Sequence, residues 1–323
     1  MGNHLMVGGQ AVIEGVMMRG PKLTATAVRD PAGKIQVETK DVNSISDRYP
    51  ILKKPMLRGT VSLVESLVIG IRSLSYSAKM AGEEEEQLSD KEMAGTIIFA
   101  LVLASILFIA IPTGAAKFFH FVTEDPFFLN LMEGFLRLAI FLAYIWGISR
   151  MKDIRRVFQY HGAEHKTIHC YEAGLPLTVE NVQKFSRLHP RCGTNFLLIV
   201  MLVSIFVFAF LGWPNLAERI VSRIVLLPVV AGISYEIIRL AGRSENPIIQ
   251  TAIKPGLWLQ YLTTRPPQDD MVEVAIESLK AVLPPEEIRE GTGEYRYPER
   301  MEAAAEDETE IGVPAAASVE TAH

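Results

Sequence analysis

The stretch that decides the organisation of this chain is residues 160–195, YHGAEHKTIHCYEAGLPLTVENVQKFSRLHPRCGTN. Four of the seven histidines and both cysteines of the chain lie in it. Imidazole, thiolate and carboxylate groups are the ones that bind transition metals or transfer protons near neutral pH. Long apolar runs flank the stretch on both sides. We therefore expect residues 150–195, here called the His/Cys island, to be held at a membrane surface.

Four apolar runs are long enough to cross a hydrocarbon core of about 30 Å. They predict two transmembrane hairpins, residues 94–149 and 196–241. The predicted spans themselves are residues 94–116, 127–149, 196–213 and 224–241.

A β-hairpin is predicted near the amino terminus, because residues 23–28 and 34–39 alternate on either side of Asp30-Pro-Ala-Gly33. It places a small β-containing cytosolic region at residues 1–50. The predicted fold class is thus a mainly α polytopic membrane protein, with about four transmembrane helices and a small N-terminal β-containing cytosolic domain.

The remaining segments are predicted from composition and apolar spacing. Residues 51–82 form an amphipathic helix that either lies at the membrane interface or packs beneath the spans. An acidic linker occupies residues 83–93, and a C-terminal cytosolic segment with an amphipathic helix at 269–283 occupies residues 242–285. The acidic tail 286–323 has little to bury and is expected to be disordered.

The charge distribution predicts the orientation. From Glu286 onward the chain has eleven acidic residues and three arginines, so this tail accounts for the net charge of −5 and the body carries about +3. Lysines and arginines precede the first span and follow the second, which predicts cytoplasmic termini and a cytoplasmic island in the bacterial inner membrane. No secretory signal is seen in the first ten residues. Arg219 and Arg223, in the second outer loop, do not fit this pattern.

A metal site is predicted inside the island. If residues 158–173 are helical, His161, His165, His169 and Glu172 fall within an arc of about 80°. Two imidazoles one turn apart can bind one divalent ion, zinc being the expected one. Further ligands would come from His189, Cys192, Glu164, Cys170 or Glu172. In a reducing compartment the cysteines are expected to be ligands or nucleophiles rather than a disulfide. The alternative is that these histidines and cysteines only form hydrogen bonds with backbone groups and bind no metal.

The segment His161-Gly-Ala-Glu164-His165 has the pattern of the inverted zincins, H-x-x-E-H. Membership of that protease class is not expected, since its motif sits in a large soluble domain. The chemistry could still be shared, with Glu164 or Glu172 as the general base. For Glu14 and Arg19, in the glycine-rich block 8–20, the sequence leaves two interpretations open: they complete this pocket, or they belong to a strand and turn.

Two pairs of opposite charges lie inside predicted spans. Mutual neutralisation is predicted for Glu236 and Arg239. For Glu133 and Arg137 the sequence leaves neutralisation and a functional role open.

Four blocks of this sequence resemble the DUF1385 family of bacterial membrane proteins, and the resemblance extends over residues 5–284. It rests on GGQAVIEGVMMRG at 8–20, YHGAEHKTIHCYE at 160–172, HPRCGTNF at 189–196 and PGLWLQYLTTRPPQDDMVEVAIESLKAVL at 255–283. Members are described as predicted metal-dependent enzymes without an established reaction. The resemblance implies a metal role for His161, His165, His189 and Cys192, with Glu164 nearby.

The leading hypothesis is a metal-dependent enzyme of hydrolytic or transfer chemistry on the cytosolic side of the membrane. The alternatives are a small oligomeric channel or transporter that the histidines gate, and a membrane scaffold with a structural zinc. The expected partner is the lipid bilayer, a homo-oligomer is compatible with the short spans, and no nucleic acid is expected.

Overall fold

The computed structural model describes residues 5–82, 90–241 and 246–288 of the chain. The acidic run 83–86 and all but the first three residues of the predicted tail 286–323 lie outside these ranges. The strands are β1 Gly8–Val12, β2 Gly15–Arg19, β3 Leu23–Arg29 and β4 Ile35–Asp41. The α-helices are α1 Ile45–Arg48, α2 Leu57–Ala81, α3 Asp90–Ser105, α4 Ile111–Ala115, α5 Pro126–Ile148, α6 Lys152–Glu172, α7 Val179–Gln183, α8 Gly193–Ala209, α9 Leu216–Ala241, α10 Pro247–Thr263 and α11 Asp269–Lys280.

The chain divides into two compact units, and each unit is built from separated stretches of sequence. The first unit combines Met1–Val42, Lys152–His189 and Thr263–His323. The second combines Asn43–Met151 and Pro190–Leu262. The N-terminal β region, most of the His/Cys island and the end of the C-terminal segment therefore belong to one folded body.

The first unit contains an antiparallel sheet with the strand order β1-β2-β3-β4. The predicted hairpin is confirmed, since β3 pairs with β4 and Ala27 lies opposite Val37. Its turn is closed by Asp30, whose Oδ1 accepts a hydrogen bond from the Lys34 amide at 2.9 Å. Gly33 has a φ of 81°, in the left-handed region that glycine adopts without steric cost.

The core of the first unit lies between one face of the sheet and two helices, α6 and α11. The sheet contributes Val16, Met18, Ala25 and Ala27. Cross-strand pairing of Val16 with Ala27 and of Met18 with Ala25 puts these four side chains on the same face. Helix α11 is buried along most of its length and turns the exposed Glu273 and Glu277 outward. The buried residues of α11 are Met271, Val272, Val274, Ala275, Ile276, Ser278 and Leu279.

In the second unit, helix pairs pack closely where a glycine removes a side chain. A Cβ at Gly134 in α5 would come within 2.7 Å of Ile205 in α8. Likewise a Cβ at Gly59 in α2 would lie 2.6 Å from Tyr235 in α9. Each glycine therefore permits a helix–helix distance that an alanine would obstruct.

Among the described residues, three stretches are long and apolar enough to cross a membrane, namely Lys91–Phe121, Pro126–Ile148 and Leu216–Leu240. The remaining predicted span, residues 196–213, corresponds to α8, an apolar helix of 17 residues. At 1.5 Å per residue α8 is about 25 Å long, somewhat short of a hydrocarbon core. The structure is thus mainly helical with a small N-terminal sheet and is compatible with a membrane protein.

Glu236, for which neutralisation by Arg239 is predicted, also has a more distant partner. Glu236 in α9 accepts hydrogen bonds from Arg58 in α2, with Nε 2.7 Å from Oε1. This ion pair joins α2 to α9 inside the second unit. Helix α2 is therefore packed against a candidate span, while Val64, Leu67, Val68, Ile71 and Leu74 on it remain exposed.

Replacement of Leu279 by alanine should loosen the first unit. The side chain is fully buried in the core, and truncation of a buried leucine costs roughly 2–5 kcal/mol. Hydrogen–deuterium exchange of the full chain should show faster exchange of the amides in α11 and β2. The control is Glu277→Ala, which alters an exposed side chain of the same helix and should change protection by less than about 0.5 kcal/mol. Equal exchange in the two variants would contradict a core centred on α11.

Candidate metal site

Four histidines of the first unit form a continuous row. His161, His165 and His169 lie one turn apart along α6, as the sequence spacing predicts. The segment after α7 returns to this helix and places the His189 ring 5.5 Å from that of His165 and 4.6 Å from that of His169. The rings of His161 and His165 are 4.4 Å apart, so the row runs 161–165–189–169.

Main-chain carbonyl groups fix three of these rings. His161 Nδ1 lies 2.8 Å from the Thr263 carbonyl oxygen, and His165 Nδ1 lies 2.5 Å from that of Arg187. His169 uses its other nitrogen, Nε2, at 2.9 Å from the Leu188 carbonyl oxygen. A carbonyl oxygen only accepts hydrogen bonds, so each of these ring nitrogens carries the proton. In a neutral ring the other nitrogen then carries the lone pair, which is how metal-binding histidines are commonly oriented.

His165 has a buried nitrogen that fits a metal ion. The residue is 1% exposed, and its Nε2 has no hydrogen-bond partner among the residues that the structure describes. A buried lone pair without a donor costs free energy, and a bound cation would remove that cost. The histidine row therefore has the donor chemistry that zinc prefers.

Two carboxylates lie beside the row. Glu164 is 3% exposed, and its Oε2 is 4.0 Å from His161 Nε2. Glu172 is at the other end, where its Oε2 lies 3.7 Å from His189 Nε2. One ligand atom each from His169, Glu172 and His189 lies within 4.8 Å of the others, a separation that one ion can bridge. His169 was part of the predicted stripe but not of the predicted ligand set.

The site depends on two close backbone approaches at glycines. A Cβ on Gly162 would be 2.1 Å from the Arg265 carbonyl oxygen, so only glycine lets residues 263–265 reach α6 and offer a carbonyl to His161. A Cβ on Gly9 in β1 would be 2.6 Å from the Met17 carbonyl oxygen and 3.0 Å from Glu164 Oε1. The glycine-rich block thus reaches Glu164 through Gly9.

Glu14 and Arg19 lie at opposite ends of β2. Glu14 forms the turn between β1 and β2 with a φ of 50°, and its carboxylate accepts hydrogen bonds from Arg156 and, at 3.2 Å, from the Tyr160 hydroxyl. The hydrogen bond with Glu14 raises the pKa of Arg156, while burial and the nearby Glu14 charge raise the pKa of Tyr160. Arg19 is paired across the sheet with Gly8 and Thr24. The predicted catalytic roles of Glu14 and Arg19 stay predictions.

The two cysteines have different surroundings. Cys192 belongs to the second unit, where it caps the start of α8 and its Sγ accepts from the Thr194 amide at 3.4 Å. Its role as a ligand stays a prediction. Cys170 is in the core of the first unit, and its Sγ donates to the Pro176 carbonyl oxygen at 3.5 Å. Burial raises the pKa of the Cys170 thiol to about 12, which favours a protonated core residue over a thiolate ligand.

Arg187 supports the row in a way that the sequence did not indicate. It is almost fully buried, and its Nη1 donates to the Thr264 carbonyl oxygen at 2.8 Å. Its own carbonyl accepts from His165. The Arg187 side chain therefore links residues 263–265, which orient His161, to its own segment, which orients His165.

A family profile described as "Protein of unknown function (DUF1385)" matches residues 54–285. The chain belongs to the DUF1385 family. It is also 38% identical over 303 residues to "Uncharacterized protein YqhQ" of Bacillus subtilis (strain 168), a match that covers 88% of this chain and 94% of the relative. No solved structure matches this chain. The DUF1385 profile includes all four histidines of the row and Cys192, whereas the glycine-rich block 8–20 precedes it.

The pKa of Cys170 predicts a thiol that resists alkylation. In a Cys192→Ser chain, Cys170 is the remaining cysteine. With a pKa of about 12, only about one thiol in ten thousand is ionised at pH 8, and burial restricts access further. Iodoacetamide should therefore leave the native chain unlabelled at pH 8 and label it fully in denaturant. Rapid labelling of the native chain, measured by mass spectrometry, would show that Cys170 is an accessible thiolate.

Proposed function

We propose that the first unit binds a divalent metal ion, zinc in the first instance, and that the protein is a metal-dependent enzyme of hydrolytic or transfer chemistry. The observation that carries this proposal is the buried Nε2 of His165, whose ring is fixed by the Arg187 carbonyl. The same orientation of His161 by the Thr263 carbonyl supports it.

The ion would be held by Nε2 of His161 and of His165, with His189 beside them. Cys192 is retained as the fourth proposed ligand on sequence grounds. When bound, such an ion polarises a carbonyl or phosphoryl group of a substrate. A His-rich set with a carboxylate nearby is typical of catalytic zinc sites.

Glu164 is the proposed general base. Its Oε2, which lies 4.0 Å from His161 Nε2, would accept a proton from the attacking water or hydroxyl group. Glu172 is the second proposed acid–base group, since its carboxylate faces His189. Glu14 and Arg19 would contribute to the substrate side of the pocket.

A structural zinc is the second candidate function. It is favoured by His169, Glu172 and His189, whose ligand atoms are mutually close. A closed site of this kind would brace the return segment against α6 without supplying catalysis.

We further propose that the first unit faces the cytoplasm from a bacterial inner membrane, with both termini on the cytoplasmic side. Support comes from the lysines and arginines around the predicted spans and from the three apolar helices. The channel or transporter alternative stays a prediction.

Metal analysis of the full chain, purified in detergent, should find about one zinc ion per chain. The double variant His161→Ala/His165→Ala should lose it, because both proposed Nε2 ligands are removed. The matched control is His120→Ala, which alters a histidine that packs on Trp213 in the second unit. A metal-free wild-type protein would defeat both zinc proposals. Metal that survives loss of His161 and His165, but not His169→Ala/Glu172→Gln, would favour the structural zinc.

Glu164→Gln should separate catalysis from metal binding. The amide keeps the size of the side chain and cannot accept a proton, so the variant should keep its zinc and fail to complement a chromosomal deletion. Glu180→Gln, which alters an exposed side chain of α7, should complement fully. Full complementation by a zinc-loaded Glu164→Gln chain would remove the enzyme proposal and leave the structural one.

A further inference from the structure

Glu133, in helix α5, is surrounded by three arginines of the second unit. It accepts hydrogen bonds from Arg137 Nη2 at 2.9 Å and from Arg219 Nη2 at 2.8 Å. Arg223 reaches both carboxylate oxygens, with Nη2 at 2.8 Å from Oε2. The Thr113 hydroxyl adds a fifth contact, at 3.0 Å from Oε1. The carboxylate is thus saturated with donors. We call these four charged residues the arginine cluster.

The arginine cluster carries more positive than negative charge. Its three guanidinium groups face one carboxylate, which leaves a net charge of +2. The side chains of the arginines are between 10% and 14% exposed, and that of Glu133 is 1% exposed. Excess charge in such surroundings is costly unless another charged group compensates it.

Arg219 has a donor that its neighbours do not use. Its side chain is nine-tenths buried, and its Nε has no hydrogen-bond partner within residues 5–82, 90–241 and 246–288. The guanidinium lies over the Trp213 ring at 3.8 Å from the ring centroid, which fixes its plane. A fixed, buried donor beside excess positive charge is suited to an anion.

An apolar groove of about 590 Å³ adjoins the arginine cluster. Its wall includes Thr113, the residue that donates to Glu133 and accepts from Arg223 Nη1 at 3.1 Å. The other lining residues are mainly aliphatic and include Ile98, Leu101, Val102, Ile106, Ile109 and Ile220. A surface of this composition is suited to an acyl chain.

The arginine cluster also lies at a depth that is suitable for contact with a lipid headgroup. Glu133 is the eighth residue of α5, about 10 Å from the start of that helix, and Arg219 and Arg223 are the fourth and eighth residues of α9. Arginine side chains near the end of a span can reach the level of lipid headgroups.

We propose that the arginine cluster binds the phosphate of an anionic phospholipid whose acyl chain occupies the adjoining groove. Guanidinium groups bind phosphate oxygens in a bidentate manner, and Arg219 Nε is a donor that no described residue uses. A lipid without net negative charge would not offset the +2 of the cluster. This site is independent of the proposed zinc site.

The test uses the full chain, stripped of lipid in a neutral detergent and titrated with phosphatidylglycerol or phosphatidylcholine. Native mass spectrometry should show one tightly held phosphatidylglycerol per chain and a clear preference over phosphatidylcholine. Arg219→Gln should weaken the binding of phosphatidylglycerol roughly tenfold or more, because a charge-assisted hydrogen bond is lost. The matched control is Arg150→Gln, which alters an exposed arginine that stacks on Trp146 and should bind like the wild type.

Glu133→Gln distinguishes loss of the site from simple misfolding, because it should change the affinity for phosphatidylglycerol in the opposite direction. The variant raises the net charge of the cluster to +3, so it should bind phosphatidylglycerol more tightly than the wild type does. Equal binding of the two lipids, or unchanged binding by Arg219→Gln, would overturn the proposal. Inorganic phosphate is the last comparison. If it stabilises the protein as much as phosphatidylglycerol does and also abolishes lipid binding, the lipid assignment is overturned.

Discussion

The candidate metal site depends on hydrogen bonds from imidazole N–H groups to main-chain carbonyl groups. Thr263, Arg187 and Leu188 supply the three acceptors, and none of these residues contributes its side chain to the bond. Because the acceptors belong to the backbone, they move only if their segments move. The orientation of the rings is therefore set by the packing of residues 186–189 and 263–265 against α6, and the proposed chemistry inherits its geometry from that packing.

The part of this site that follows from local spacing could be predicted from the sequence, and the part that follows from tertiary contacts could not. The stripe of His161, His165 and His169 depends only on helical periodicity, and the structure has it. Every residue has a carbonyl group, so nothing marked Thr263 or Arg187 as acceptors. The need for glycine at position 162 could likewise not be predicted, because it comes from a tertiary contact with Arg265. Cys170 was a candidate ligand by residue type, and only its burial indicates a protonated thiol.

Charge pairing shows the same division between local and distant information. Glu236 and Arg239 are neighbours on a helix, yet Glu236 pairs with Arg58, which lies 178 residues away. The two arginines that disagreed with the expected charge distribution, Arg219 and Arg223, are bound to the buried Glu133. They are thus part of an interior cluster rather than free loop charges. A rule that counts lysines and arginines along the sequence cannot distinguish these two cases.

The burial of α11 has a consequence for the folding of the chain during its synthesis on the ribosome. The sheet is translated first, but the helix that covers its apolar face begins only at Asp269. At a synthesis rate of about 5–20 residues per second, the sheet must wait for more than about ten seconds with Val16 and Met18 uncovered. During that interval the nascent chain exposes an apolar strand surface, which is the kind of surface that chaperones bind. The histidine row can assemble only when translation is almost complete, so a chain truncated before α11 would carry all four imidazoles and still lack their scaffold.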